Sequence, residues 1–272
     1  MTFEGNYSQE RILVIGSTGF IGTHILSICS NMNTLVLPNE KLDMESKLQL
    51  LNPTIIINAV ASKITALKQG SLESNFNFPK LIFSKAFSFN PNLRWVQLAS
   101  YYELQQVYGR SDYYTHHKSQ FRDFINSSPY KNQVVNLILP HVAGPNENSS
   151  RLFSTLALAE ATEKIVLGSD GKQFIPVVHV LDSIIGIMTS LEVNSGTYSI
   201  PPVWYGRIQE LVTELQGLGV LNNEVEFKVD SKSVDSSYPK IKFSNPIPNW
   251  WPSRSIQDII QDIRKNMIGG NV

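Results

Sequence analysis

The stretch Arg11-Ile-Leu-Val-Ile-Gly-Ser-Thr-Gly-Phe-Ile-Gly22 decides the fold. Ile12 to Ile15 is a short, continuous apolar run, the pattern of a strand covered on both faces. Gly16, Gly19 and Gly22 follow at intervals of three, and Phe20, Ile21, His24, Ile25 and Ile28 then recur at helical spacing. The order predicts strand, glycine turn, helix. Gly16 lets the chain turn sharply, Gly19 leaves the backbone bare to a pyrophosphate, and Gly22 lets the helix pack close to the strand. The helix N-terminus offers N–H groups and a partial positive charge to phosphates. Thr18, Phe20 and Ile21 would line the dinucleotide beside these glycines. Three glycines alone mark only a turn. Their place between an apolar strand and a helix points to a dinucleotide site.

Outward from this stretch the strand–helix rhythm repeats. Strands are expected at 34–37, 54–57, 94–98 and 134–139, with helices at 71–89 and 112–127 and a bend at Pro79. This alternation predicts an α/β fold, a Rossmann-type doubly wound parallel sheet. Ligands of such sheets bind outside the carboxyl ends of the strands, which would set Gly16, Ala59, Ser100 and Pro140 on one edge. The small residues Ala59-Val60-Ala61 leave room there for a cofactor. Past Pro145 the elements shorten and prolines increase. Residues 1–145, with 174–192 returning to them, therefore read as a dinucleotide-binding domain, and 146–272 mainly as a smaller substrate lobe.

The charges exclude some partners. Lys plus Arg and Asp plus Glu both number 23, so nothing favours nucleic acid or an acidic membrane surface. No run of 18 apolar residues exists and Met1 to Glu10 is polar, so neither a membrane span nor a signal peptide is expected, and the default location is the cytoplasm. The lone Cys29 fits a reducing compartment and reads as a small buried hydrophobe. No cluster has metal-ligand spacing, so no metal is expected.

The chemistry lies on the helix expected after Asp112. Tyr114 and Lys118 are four residues apart, so they share a helical face. A nearby ammonium favours a phenolate, which would make the tyrosine an acid or base near neutrality. Ser100, at a neighbouring strand end, can hydrogen-bond a reacting carbonyl oxygen. Taken alone, Tyr-x-x-x-Lys is usually an amphipathic helix with a solvated lysine; the glycine turn upstream favours the catalytic reading.

With these residues the chain resembles the extended short-chain dehydrogenase/reductases, the group of nucleotide-sugar epimerases, dehydratases and reductases. The resemblance runs through Gly16 to Gly22, Asn58-Ala-Val-Ala61, Asn75, Ser100, Tyr114 with Lys118, Gly144-Pro145, His179-Val180 with Asp182, and Trp251-Pro252. It implies that Tyr114 passes the proton, Lys118 holds the nicotinamide ribose and lowers the tyrosine pKa, and Ser100 polarises the sugar carbonyl. Asp43 and Met44 would border the adenine. Pro140 would lie on the cofactor, and Ser62, His141 and Arg151 on the substrate. The resemblance also implies a homodimer through the helices at 71–89 and 112–127.

Departures narrow the reading. Tyr101-Tyr102 stands where 4,6-dehydratases carry Asp-Glu, which argues against dehydration. Gly171-Lys-Gln-Phe-Ile175 lacks the arginine that many members place on the substrate diphosphate, so that contact is lost or comes from Arg151, Lys172 or Arg254. No acidic residue ends the second strand, which leaves NAD or NADP open, with NADP slightly favoured by Lys41. His116 and His117 are expected to face away from Tyr114 as surface or subunit contacts. His179 and Asp182 are expected to organise a strand-to-helix turn, and Trp250 and Trp251 to pack in a core. The leading expectation is an NAD(P)H-dependent reductase of a 4-keto nucleotide sugar. The alternatives are an epimerase with tightly held NAD and a non-catalytic dinucleotide sensor or scaffold.

Overall fold

The computed structural model describes residues 9–30, 32–37, 43–62, 67–160, 162–228 and 238–269. The chain forms two compact units, one of Met1–Leu139, Ile184–Ser199 and Ser244–Trp250, the other of Pro140–Ser183, Ile200–Phe243 and Trp251–Val272. Residues 174–183, expected with the first unit, cluster with the second.

Its elements begin β1 (Ile12–Ile15), α1 (Phe20–Ile28), β2 (Thr34–Leu35), α2 (Met44–Leu51), β3 (Ile55–Asn58), α3 (Lys68–Leu72), α4 (Phe78–Phe89), β4 (Arg94–Ser100), α5 (Tyr101–Gln105), α6 (Tyr113–Ser127) and β5 (Val134–Leu139). There follow β6 (His141–Ala143), α7 (Leu152–Leu158), β7 (Ile165–Leu167), β8 (Phe174–His179), α8 (Val180–Thr189), β9 (Gly196–Ser199), β10 (Trp204–Arg207), α9 (Ile208–Gly217), β11 (Val225–Phe227) and α10 (Ile256–Gly269).

In the first unit six strands pair in the order β2-β1-β3-β4-β5-β9, every pair parallel. This is the Rossmann-type sheet that the alternation predicts. The chain winds outward from β1 to β2, then crosses back to place β3 on the other side of β1. Such a reversal opens a crevice at the carboxyl ends of the two central strands. Ile15 pairs with Asn58, so Gly16 and Ala59 leave the sheet side by side at that crevice.

The helices obey local chemistry. Asp112 caps α6 by accepting from the Thr115 N–H at 2.9 Å, as its sequence position predicts. Between α3 and α4, residues Glu73–Asn77 widen into a π-helical turn. Pro79 has no N–H to donate, and its ring would press on the carbonyl four residues back. The wider turn just ahead of it relieves both problems. Phe83 and Phe87 on α4, Trp95 on β4 and Phe121 on α6 form the aromatic core, with Phe83 5.1 Å from Trp95 and 4.6 Å from Phe87 between ring centroids. Each such burial contributes about 1.5–3 kcal/mol.

The second unit holds a sheet ordered β10-β8-β6 and a two-stranded pair, β11-β7. Its core includes Phe153, Leu156, Leu211, Leu215, Ile259 and Ile260. The strands β6, β7 and β10 are three or four residues long and were not foreseen. His179 does organise the start of α8, where its Nδ1 accepts from the Leu181 N–H at 3.0 Å. Asp182 ties that start to the segment before α10: its carboxylate accepts from the Ser253 N–H at 3.0 Å, the Arg254 N–H at 2.8 Å and Arg254 Nη1 at 2.6 Å. Asp182→Asn removes the charge and turns one oxygen into a donor facing other donors. It is expected to lower stability by about 2 kcal/mol, read as an earlier midpoint in urea unfolding. Trp250 is buried, but Trp251 is 67% exposed, so only the first of the tandem tryptophans packs inside.

Candidate active site

The glycine turn stands at the mouth of the crevice. Gly16 has φ +83°, and a Cβ there would lie 2.7 Å from the Ala59 carbonyl carbon. A Cβ on Gly22 would lie 2.2 Å from the Gly16 oxygen. These two glycines close the turn against β3 and α1. Gly19 differs: it is exposed, and a Cβ would approach only the Gly16 oxygen, at 3.3 Å. Gly19 is also the N-cap of α1, with no side-chain cap and no acidic residue in the first turn. Bare backbone at an uncapped helix N-terminus fits a pyrophosphate, so the residues present suit a dinucleotide.

Around this turn the expected cofactor residues divide. Asn58 is buried, donates to Gln97 Oε1 at 2.8 Å and accepts from the Val60 N–H at 3.1 Å. It thereby fixes the course of Ala59-Val60-Ala61 out of the sheet. Asp43 caps α2, accepting from the Ser46 N–H at 3.0 Å and Ser46 Oγ at 2.8 Å, while Met44 is half-buried. Those hydrogen bonds hold the Asp43 carboxyl below its ordinary pKa. Pro38 to Leu42, including Lys41, lie outside the described residues. Pro140 is buried and opens the second unit.

A polar chain runs beneath the first unit's catalytic helix. Asn75, in the π-helical turn, donates to Ser62 Oγ at 2.7 Å and Ser71 Oγ at 3.1 Å, and accepts from the Ser62 N–H at 3.2 Å. His117 Nδ1 lies 2.9 Å from Ser71 Oγ. His117 is therefore buried, not the surface contact expected, and burial lowers its pKa. Its position three residues after Tyr114 carried the signal, since residues three apart share a helical face. His116 is exposed, as expected.

Ser100, Tyr114 and Lys118 come together at the carboxyl end of β4. The Ser100 side chain is hydrogen-bonded to the Tyr114 phenol, and Lys118 Nζ lies 5.7 Å from the Tyr114 ring centroid. Tyr102 meets Tyr114 edge to face at 6.2 Å and stacks against the Arg110 guanidinium at 3.6 Å, so Tyr102 does border the site. The electrostatics differ from the sequence expectation. Burial pushes the Tyr114 phenol above its ordinary pKa; the Ser100 bond opposes this, and the Glu103 charge adds to it. Lys118 does not lower that value. Its own pKa is depressed by burial, its ammonium donates to the Leu98 carbonyl at 2.9 Å, and Glu103 draws on its charge. Glu103 is the functional residue that the sequence reading missed, although Ser100-x-x-Glu103 is a capping-box pattern.

Within the second unit, Arg151 Nη2 stands 3.3 Å from His141 Nε2, and Arg151 Nη1 stands 3.9 Å from the buried Glu147 carboxylate. Burial and the Arg151 charge hold His141 well below its ordinary pKa, so it stays neutral beside the guanidinium. Of the other proposed diphosphate cations, Arg254 is engaged by Asp182, and Lys172 is 3.5 Å from Asp170.

The sheet, the turn and the serine–tyrosine–lysine group define an extended short-chain dehydrogenase/reductase enzyme. The chain belongs to the NAD dependent epimerase/dehydratase family, whose model matches residues 12–200. No curated protein matches it. Similar solved structures include UDP-glucose 4-epimerase from Thermotoga maritima with UDP-glucose, at 14% identity and a TM-score of 0.78 over 95% of this chain and 99% of that one. RMD from Pseudomonas aeruginosa complexed with NADPH matches at 14% identity and 0.76, over 96% and 99%. MoeE5 in complex with UDP-glucuronic acid and NAD matches at 16% and 0.75, over 95% and 99%. At these identities the likeness is one of fold. Among the described residues no helix is long and apolar enough to cross a membrane.

Proposed function

We propose that the chain is an NAD(P)H-dependent reductase of a 4-keto nucleotide sugar. The observation that carries this is the Tyr114 phenol, hydrogen-bonded to Ser100 and kept protonated by burial at the strand edge nearest the glycine turn. A protonated phenol is the form a carbonyl reduction needs, because the oxygen gains a proton as the carbon gains hydride. The reduced nicotinamide, when bound, supplies the hydride. The chain's own groups do the rest. Ser100 polarises the carbonyl oxygen, Tyr114 donates the proton to it, and Lys118 steadies the ribose. Ser62, His141 and Arg151 would bind the substrate, with the Arg151 guanidinium on its diphosphate. A preference for NADPH rests on Lys41. A cytoplasmic location, consistent with the single buried Cys29, and a homodimer complete the proposal.

The second reading, an epimerase with tightly held NAD, is favoured by the fold it shares with UDP-glucose 4-epimerase. The two differ in net cofactor use. NADH and NADPH would each be mixed with dTDP-, CDP-, GDP- and UDP-linked 4-keto-6-deoxy sugars, and loss of reduced-nicotinamide absorbance followed. Stoichiometric oxidation with one sugar supports the reductase. Interconversion of UDP-sugars with no net oxidation would replace it with the epimerase.

A further inference from the structure

We infer that Glu103 is a positioning residue that fixes Ser100 and keeps Tyr114 in its proton-donating form. The inference rests on the reductase reading for its meaning, but its geometry stands alone. Glu103 is 5% exposed, on the first turn of α5, directly behind the serine. Its Oε1 accepts from the Ser100 N–H at 2.9 Å, while Ser100 Oγ accepts from the Tyr102 N–H at 3.3 Å. These reciprocal bonds form a capping box, so the rotamer of the catalytic hydroxyl is set by the carboxylate three residues on. Its other oxygen, Oε2, lies 3.5 Å from Arg122 Nη1.

The carboxylate therefore does two jobs from one place. It orients Ser100, and it stands as a negative charge near Tyr114 while drawing on Lys118. A like charge disfavours the phenolate, so Glu103 works against the effect that Lys118 would otherwise have. The other groups around the pair are accounted for. Asp112 and Tyr102 also raise the Tyr114 pKa, Asp112 being itself paired with Arg110 Nε at 2.6 Å. Lys118 and Arg122 oppose the burial of Glu103, and Asp123 adds to it. The outcome is an acid that holds its proton until a substrate oxygen takes it.

Glu103→Gln separates the two jobs, because glutamine can still accept from the Ser100 N–H but carries no charge. The Tyr114 phenol is read by ultraviolet titration, as the difference between each chain and the same chain with Tyr114→Phe, without substrate. The Tyr114 component is expected to move to lower pH by about one unit in Glu103→Gln, with the thermal unfolding midpoint nearly unchanged. Glu103→Ala, which also removes the cap, is expected to show the same shift with lower stability. In the reductase assay the alkaline limb of kcat/KM should fall earlier by the same amount. An unmoved Tyr114 titration in either folded variant overturns the inference, since a merely structural cap would leave it in place. A shifted titration in a chain with no reductase activity upholds the inference and removes the reductase reading instead.

Discussion

Tyr114→Phe is expected to lower turnover roughly 10²–10⁴-fold, the usual contribution of a general acid, while stability and dinucleotide affinity stay at the parent level. The substitution removes one hydroxyl and keeps the ring, whose edge-to-face contact with Tyr102 at 6.2 Å needs no oxygen. Nothing in the aromatic core is disturbed, because that core is built from Phe83, Phe87, Trp95 and Phe121. What disappears is the proton source hydrogen-bonded to Ser100. Single-turnover oxidation of the reduced cofactor isolates this step from product release. The phenol's direction of shift sets the pH dependence. A pKa above the ordinary value keeps the acid form through the neutral range, so this group should contribute no falling limb there, and activity should decline only where the phenol ionises. An undiminished rate in the variant would take Tyr114 out of the chemistry.

Several parts of this site were legible in the sequence because they are written over a few neighbouring residues. The run Ile12 to Gly22 combines an apolar strand, a turn and a helix start within one span, and the structure reproduces it with Gly16 against Ala59. Asp112 was legible for the same reason, since a cap needs only the residues of its own turn. Other features depend on partners far along the chain. The three-residue strand His141–Ala143 exists because Phe174–His179 lies beside it, and no alternation within three residues could announce that. The charge on Lys118 was read as if it faced only Tyr114, because the Leu98 carbonyl and Glu103 that share it come from β4 and α5. Glu103 occupies an intermediate case. Its capping bond to Ser100 was readable from a spacing of three, but the segment Tyr101-Tyr102-Glu103 was taken as a departure from a family pattern rather than as the first turn of a helix. Its approach to Arg122 required the packing of α5 on α6.

The glycine turn offers a sharper test, because two of its glycines should fail in opposite ways. Gly22→Ala would set a Cβ 2.2 Å from the Gly16 oxygen and 2.8 Å from Ser17 Cα, both backbone atoms that cannot swing aside. The turn must open, at an expected cost of about 2–3 kcal/mol, seen as an earlier urea midpoint with or without cofactor. Gly19→Ala meets only the Gly16 oxygen, at 3.3 Å, and the backbone there has φ −80°, which alanine adopts readily. The folded chain should keep its stability or gain up to about 1 kcal/mol from the stiffer unfolded state. Dinucleotide binding is a different matter. The alanine methyl would project from the helix N-cap into the space where the pyrophosphate must meet bare backbone, and affinity should fall at least about 100-fold, near 2.7 kcal/mol. Calorimetric titration with NADH and NADPH on both variants reads this directly. A Gly19→Ala chain that binds as tightly as its parent would mean that the phosphates do not lie over Gly19. Loss of binding without loss of stability can come only from a ligand that needs the empty side of that glycine, and a turn serving structure alone has no such requirement.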